Sequence, residues 1–585
     1  MSEHLDREAE RWGIESWYFD VRGQRRDATP EAIRKISAAL SATAQPAPPP
    51  PRPTTIEPAY QGNGSRGWIV AVQLYSLRSR RNWGIGDFTD LAALIETAYS
   101  LGAAGIGLNP LHALFSERPN DASPYAPNSR LFLNPLYIDV EAIPHFPRDS
   151  QFEREQYAEL IDYAAVARLK WPALRAAHRF FIEQATAVEI GDFERFRNER
   201  GPELLRFAAF EMLRHKFRTV WWEWPMQWRR PDDTELQKLA ADEAEQIEFY
   251  QFVQWVADRQ LQACSSLAKA QGMAVGLYID LAVGVDASGA DAWIAQDAML
   301  RGLSVGAPPD EFNTVGQDWG LTTFDPHGLV RQNLVPLRLM LREIMRHAGA
   351  IRIDHVLGLM RLYVIPHGSK PKDGAYIRFP FNFMLSVIAE ESRRAGCIVI
   401  GEDLGTVPEG FRDTMYEWGL WSYLVIMFER EGDGSFKQPR HYRENALATF
   451  GTHDLPPFAG WMSGHDLATK RAIGVDPGES EQDRERSRAA LRSALGEPEK
   501  FLQVAEFLAA TPTRLVSIGL EDVLELRDQV NIPGTVLQHP NWRRRLPVEV
   551  EALRDDQRLR DVAAVFNRSG RGAPKPNSAA TSSMS

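Results

Sequence analysis

Three acidic residues each close an apolar, β-branched run in this 585-residue chain. Asp354 ends Ala350-Ile351-Arg352-Ile353-Asp354-His355, Glu402 follows Cys397-Ile398-Val399-Ile400-Gly401, and Asp454 ends Leu447-Ala448-Thr449-Phe450-Gly451-Thr452-His453-Asp454. Two carboxyl groups in opposite protonation states perform retaining glycosidic chemistry. One attacks the anomeric carbon as a carboxylate and the other gives its proton to the leaving oxygen. Asp354 suits the ionised role. Arg352 lies two residues earlier, so on a strand the two side chains share a face, and the guanidinium is expected to lower the Asp354 pKa. Glu402 suits the protonated role, because desolvation after an apolar run raises a carboxyl pKa. Its neighbour Asp403 is a rival, since alternation alone does not say which of the two faces inward. Asp454, with His453, is left to grip sugar hydroxyls as the ring distorts. Taken singly, each carboxylate also reads as a helix cap or turn residue, and Arg352–Asp354 as an ordinary ion pair. The repetition is what points to chemistry.

The elements that position these residues follow from hydrophobic periodicity. Candidate strands fall at 69–74, 105–108, 274–279, 350–353, 397–400, 423–428, 447–450 and 515–519. Most are separated by helical patterns, such as the one that starts at Asp87-Phe88-Thr89-Asp90 and the one over 383–394. Eight strands alternating with helices predict an α/β fold, a (β/α)8 TIM barrel, whose C-terminal strand ends share the active face. The three carboxylates then close the fourth, fifth and seventh strands. The body is longer than a plain barrel of about 250 residues. The excess reads as a largely helical subdomain inserted at about 111–272 and a substrate loop over 302–327 on the catalytic face. Residues 1–43 read as a small N-terminal helical unit, with Thr29 capping a helix that opens at Pro30. A Pro-rich linker occupies 44–65, the catalytic barrel runs over 66–566, and 567–585 is expected to be a disordered tail.

Composition narrows the class. Charged residues make up 25% and the formal charge is −11, which argues against nucleic acid or an anionic membrane surface as a partner. Arginines do cluster at Arg543-Arg544-Arg545 and at Arg78, Arg80 and Arg81, and they read as solvated basic patches. The charged start has no apolar signal-peptide core and no run spans a bilayer, so a cytoplasmic location is expected. Cys264 and Cys397 read as buried free thiols.

At this point the chain resembles the 4-α-glucanotransferases, also called amylomaltases or disproportionating enzymes: glycoside hydrolase family 77 of the α-amylase superfamily. The resemblance rests on Ile351-Arg352-Ile353-Asp354-His355, Gly401-Glu402-Asp403-Leu404-Gly405 and Thr452-His453-Asp454-Leu455-Pro456. It is carried further by Tyr75-Ser76-Leu77-Arg78, Asn82-Trp83-Gly84-Ile85-Gly86-Asp87-Phe88, Leu108-Asn109-Pro110-Leu111-His112-Ala113 and Ser123-Pro124-Tyr125. Asp280-Leu281-Ala282-Val283-Gly284-Val285, Gly306-Ala307-Pro308-Pro309-Asp310, Gly316-Gln317-Asp318-Trp319-Gly320, Pro533-Gly534-Thr535 and Pro540-Asn541-Trp542-Arg543 complete it. It implies Asp354 as nucleophile, Glu402 rather than Asp403 as acid/base, and Asp454 as transition-state stabiliser. Arg352, His453, Asp280, Tyr125, Trp319 and Asn541 would hold sugar, with Phe312 beside Trp319 as a stacking platform. No cofactor and no metal are implied. The expected partners are maltooligosaccharides and starch- or glycogen-derived glucans. The third-strand motif lacks the histidine frequent in α-amylases. Two departures stand out. Pro457 replaces the usual threonine, and no β-rich domain precedes the barrel as in longer bacterial relatives.

Rival readings are a retaining α-1,4-glucan hydrolase, a metal-dependent barrel hydrolase using His112, His355 and His453, and a glucan-binding module without activity. Trp221, Trp222, Trp224 and Trp228 read either as packing or as a remote glucan platform.

Overall fold

In the computed structural model, the described residues are 3–20, 23–43, 45–48, 50–146, 158–309, 315–496 and 500–573. Eight strands close into one parallel barrel: β1 Gly67–Val72, β2 Gly105–Leu108, β3 Gly276–Leu281, β4 Ala350–Ile353, β5 Ile398–Gly401, β6 Trp421–Val425, β7 Ala446–Thr449 and β8 Leu515–Gly519. Each predicted strand forms, with ends shifted by a few residues. The period-2 alternation sorts their side chains into two cores. Ile69, Tyr278, Ala350, Ile398, Ile400, Trp421, Tyr423, Leu447 and Leu515 fill the barrel interior. Val70, Ile106, Leu277, Ile351, Val399, Leu424 and Val516 face outward into the main core under the surrounding helices.

Register then fixes who meets whom at the mouth. β4 pairs with β3 so that Ala350 lies beside Tyr278 and Arg352 beside Asp280. Arg352 therefore shares the inner face with Asp280 from the next strand, one step before each chain leaves the sheet. Glu402 and Asp354 stand just beyond β5 and β4, which are paired Arg352 to Ile400 and Ile353 to Gly401.

The long segment between β2 and β3 is largely helical, with helices Tyr163–Gln184, Ala187–Phe217 and Ala244–Ala270, and a short hairpin of His112–Ala113 with Ser129–Leu133. The excursion over 302–327 is not only a loop. Leu303–Ala307 and Gln317–Thr322 are strands of a five-stranded antiparallel sheet completed by Val285–Asp286, Arg361–Pro366 and Ala375–Arg378. Glycine is required where two of these strands approach, because a Cβ on Gly306 would collide with the Gln317 carbonyl.

The N-terminal segment contains helices Glu3–Arg11 and Pro30–Thr43, and also a hairpin of Trp17–Phe19 with Arg25–Asp27 that periodicity did not reveal. Thr29 caps the second helix through Ala32 N–H at 3.0 Å. Trp12, Ile14, Ile33, Ile36 and Leu40 pack on Leu303, Val364, Ala375 and Ile377, so this segment covers the back of the five-stranded sheet. The Pro-rich stretch also docks. Ala59 N–H donates to the Trp418 carbonyl at 2.8 Å, and Gln61 bonds Gly419 and Trp421.

The C-terminal boundary needs correcting. A tail starting at 567 was expected, but helix Gln557–Arg568 runs on to a fully buried Arg571. Its guanidinium donates to the carbonyls of Ala509, Thr511 and Thr513 at 3.2, 2.5 and 2.8 Å. A low-complexity sequence hid one cation that satisfies carbonyls at the floor of the barrel. Residues 574–585 lie outside the described residues. A chain ended after Arg568 is expected to lose on the order of 3 kcal/mol, read as a lower urea midpoint. A chain ended after Ala573 should unfold with the full-length protein.

Candidate active site

The centre of the site is one guanidinium between two carboxylates. Arg352 Nη1 donates to Asp280 Oδ1 and Oδ2 at 2.8 and 2.7 Å and reaches Asp354 Oδ1 at 2.9 Å. From Asp280 the network continues through the insertion. The Tyr125 hydroxyl donates to Asp280 Oδ2 at 2.6 Å, which leaves its oxygen to accept from His453 Nδ1 at 2.9 Å. The Tyr125 and His453 rings also stack, with centroids 4.2 Å apart. His453 Nε2 faces Asp454 Oδ2 at 3.3 Å, and Asn531 Nδ2 donates to Asp454 Oδ1 at 2.6 Å. Residues on β3, on and just beyond β4, and beyond β7 are thus joined in one chain of polar contacts.

Glu402 is held differently. Its Oε2 accepts from His355 N–H at 2.9 Å and its Oε1 from Leu404 N–H at 3.0 Å. His355 adopts a left-handed backbone with φ 48°, uncommon for a residue with a side chain, and this turn brings its N–H to Glu402. Asp403 turns away. Arg412 Nε donates to its Oδ2 at 2.6 Å and Tyr423 N–H to its Oδ1 at 3.1 Å, so its carboxylate is spent on structure.

Electrostatics revise one expectation. Burial raises the Asp354 pKa to about 6, with Asp280 and Glu402 also pushing it up, and Arg352 only partly opposes them. The expected depression fails because burial outweighs the pull of Arg352, and the neighbouring carboxylates Asp280 and Glu402 add to the rise. Burial likewise raises Glu402, against the pull of Arg352 and of the two backbone N–H groups. Burial alone would lower His453, but the charge and hydrogen bond of Asp454 reverse this and the net value is raised. Asp454 is resisted by burial and still drawn down by His453 and Asn531, so both shifts favour an imidazolium beside a carboxylate. The Asp454 side chain keeps 45% of its surface open, against 19% for Asp354.

A cavity in the barrel mouth is lined by Tyr125, Asp280, Arg352 and His453, and by Tyr278 and Tyr423. Asp354 joins this wall through Arg352, and Asp454 joins it through His453. Tyr278 and Tyr423 were read only as strand residues. Asn531 was missed because it precedes a Pro-Gly turn and touches Asp454 only across the fold. Trp542, with φ 61°, lies 5.4 and 5.5 Å from the rings of Tyr125 and His453, which sequence spacing does not signal.

Trp319 sits on the strand Gln317–Thr322, its ring edge-on to His355 at 5.4 Å. Phe312 lies outside the described residues. Asn541 also closes a loop. Its Oδ1 accepts from Ile532 N–H at 3.0 Å and its Nδ2 donates to Thr535 O and Oγ1 at 3.0 and 2.8 Å. Both amide hydrogens are thus used within the 532–541 loop, and Oδ1 keeps a second lone pair. Trp224 is fully buried against Phe210, Phe217 and Trp293, so among the four insertion tryptophans packing accounts for it, while Trp222 is exposed. Among the described residues, no group of three His, Cys, Asp or Glu side chains has the geometry to hold a metal ion. Both cysteines are buried and free. No helix among the described residues is long and apolar enough to cross a membrane.

Comparison with known proteins gives one answer. A family profile described as 4-alpha-glucanotransferase matches residues 72–550. The 4-alpha-glucanotransferase of Mycobacterium tuberculosis is 38% identical over 543 residues, 86% of this chain and 75% of that protein. The one from Haemophilus influenzae is 34% identical over 549 residues, covering 86% and 78%. The crystal structure of amylomaltase from Corynebacterium glutamicum superposes with a TM-score of 0.84 at 27% identity, over 97% of this chain and all of that one. Amylomaltase from Streptococcus agalactiae, solved in complex with acarbose, has the same fold, with a TM-score of 0.74 at 20% identity over 87% of this chain and all of that one.

The raised Asp354 value is open to direct test. Infrared difference spectra across a pH series should show a carboxylic-acid band that grows below about pH 6 and is absent in Asp354→Asn. A band appearing only below about pH 4, the ordinary carboxylate range, would contradict the burial argument.

Proposed function

The chain belongs to the 4-alpha-glucanotransferase family, glycoside hydrolase family 77, and from that membership we propose that it moves α-1,4-glucan segments by double displacement, with Asp354 as nucleophile, Glu402 as general acid/base and Asp454 as stabiliser of the distorted sugar. The observation that carries this reading is the strand-end cluster in which Arg352 binds Asp280 and Asp354 while Glu402 is oriented by the His355 N–H.

In the first step the Asp354 carboxylate attacks the anomeric carbon and the bond to the glycosidic oxygen breaks. Glu402 gives that oxygen its proton, and the shortened glucan leaves with a free 4-hydroxyl. In the second step the 4-hydroxyl of another glucan attacks the same carbon, its proton passes to Glu402, and the Asp354 ester bond breaks. Two inversions retain the α-linkage. A pKa of about 6 leaves Asp354 mostly ionised at neutral pH, as attack requires. Burial favours the protonated Glu402 needed for the first step. The N–H groups of His355 and Leu404 hold its carboxylate between the steps. Asp454, exposed over 45% of its side chain yet drawn toward its ionised form by His453 and Asn531, fits a partner for sugar hydroxyls.

Maltooligosaccharides and the chains of starch or glycogen are the proposed substrates, in the cytoplasm, with no cofactor and no nucleic-acid or membrane partner. Trp319, overhanging His355, is proposed to stack on a sugar of the bound chain and keep water from the intermediate.

Maltotriose alone should yield glucose together with maltooligosaccharides longer than the substrate; glucose and maltose without longer products would sink transfer in favour of hydrolysis. Asp354→Asn and Glu402→Gln should each lower kcat about a thousandfold or more, whereas Asp403→Asn should stay within about tenfold of the parent. The acid limb of kcat/KM should fall below about pH 6, because protonation removes the nucleophile.

A further inference from the structure

Two arginine runs that glucan transfer leaves unused come together in space. Arg78, from the segment after β1, and Arg544 and Arg545, from the long segment after β8, line one cavity with Arg527. They are not simple solvated patches, because Arg545 is only 5% exposed. Gln73, Glu521 and Val530 belong both to this cavity and to the one in the barrel mouth, so the two are neighbours across a shared wall.

Charge in this cavity is poorly matched. Glu159 and Asp528 are its outer carboxylates, and both are engaged by Arg544, at 3.3 and 3.2 Å; Asp528 also takes His465 at 3.0 Å. Glu521, at the shared wall, is raised to about 7 by burial and is a weak counter-charge at neutral pH. Arg78 donates to the Ala158 carbonyl at 3.2 Å, and among the described residues neither Arg78 nor Arg527 has an ion pair. Among the described residues, the buried Nε atoms of Arg78 and Arg544 and the buried hydroxyl of Tyr75 have no hydrogen-bond partner. Arg545 is engaged in the wall itself, donating to Asn82 Oδ1 at 2.9 Å, and burial, with the charge of Arg78, pushes it down to about 10 against the opposing charge of Asp90.

A neutral glucan has no need of four guanidinium groups. A dianion with several acceptor oxygens does, because guanidinium forks bind phosphate by paired, charge-assisted hydrogen bonds. The segments after the last strands of a parallel barrel are also a recurrent place for phosphate. We propose that the cavity walled by Arg78, Arg527, Arg544 and Arg545 binds a phosphomonoester, and that its position beside the catalytic cavity fits it to a phosphate-bearing glucose residue. The sugar part of this assignment rests on the glucan-transfer reading of the neighbouring cavity; the phosphate part does not.

The test is calorimetric titration of the full chain, at low ionic strength, with inorganic phosphate and with glucose 6-phosphate. Binding should weaken about tenfold or more in Arg544→Ala and in Arg527→Ala, and Arg544→Lys should recover part of it. Unchanged unfolding midpoints in these variants would show that the fold is intact, and exposed Arg527 serves if Arg544→Ala unfolds. Tighter binding of glucose 6-phosphate, with a higher KM for maltotriose and an unchanged kcat, supports the sugar ester. Equal affinity for both probes supports the site with free phosphate as its occupant. Absence of binding by either probe, or equal binding in parent and variants, overturns the proposal. Phosphate binding retained in Asp354→Asn separates this site from the transfer chemistry.

Discussion

The active face depends on a single buried guanidinium. Arg352 carries the only positive charge that hydrogen-bonds both Asp280 and Asp354 among the described residues, and it does so from inside the barrel. An unpaired buried carboxylate costs several kcal/mol, on the order of what removing one partner of a buried pair costs, about 3–5 kcal/mol. Two carboxylates on one cation are therefore stable only if each finds further help. Asp280 finds it in the Tyr125 hydroxyl. Asp354 has less, and burial raises its pKa against the pull of Arg352. The poise of the nucleophile candidate follows from burial and from the carboxylates beside it, not from proximity to Arg352 alone.

The same constraint organises the other half of the site. Because Tyr125 gives its proton to Asp280, its oxygen accepts from His453, and His453 is left to face Asp454 with its other nitrogen. The protonation of a histidine after β7 is thus tied to a carboxylate on β3 by way of a tyrosine from the insertion. The insertion is an excursion in sequence, yet in the site it supplies the middle of the network. Its own order comes from elsewhere, through buried contacts such as the stacking of Phe132 on Phe207 at 4.2 Å.

The sequence revealed what local pattern encodes. Short apolar runs ending on polar residues marked all eight strands, and strand-end position marked the three carboxylates. What it hid was set by partners distant in the chain. The hairpin at Trp17–Phe19 and the strand Gln317–Thr322 are short and partly exposed, so their periodicity is weak, and pairing with neighbours such as the buried strand Leu303–Ala307 defines them. The burial of Arg571 and the gathering of Arg78 with Arg545 depend on contacts across more than 400 residues, which spacing along the chain cannot express. Asn541 shows another limit: a motif match says that a residue is needed, and its bonds within the 532–541 loop are visible only in the fold. Asp354 shows the limit of pairwise reasoning, since Arg352 was found correctly while its second partner was not counted.

The barrel mouth is also lopsided, and this bears on how transfer is favoured over hydrolysis. On β3, β4 and β6 the cavity wall is built of Tyr278, Asp280, Arg352 and Tyr423, whereas on β1, β2, β7 and β8 the small residues Ala71, Gly107, Thr449, Ser517 and Gly519 stand beside Val72 and Leu108. A Cβ on Gly107 would lie 3.2 Å from the Tyr278 ring, so the absent side chain is part of what seats that tyrosine. The bulky, charged side fixes the reacting carboxylates; the small-residue side leaves the room. A sugar ring held there fills the space with oxygens placed to meet the wall, while water entering the same space gains fewer fixed contacts. Discrimination between a glucan hydroxyl and water at the intermediate then rests on shape as much as on acid–base chemistry. On the proposed double displacement, small wall residues and incompletely neutralised carboxylates would then act together in choosing a glucan hydroxyl over water.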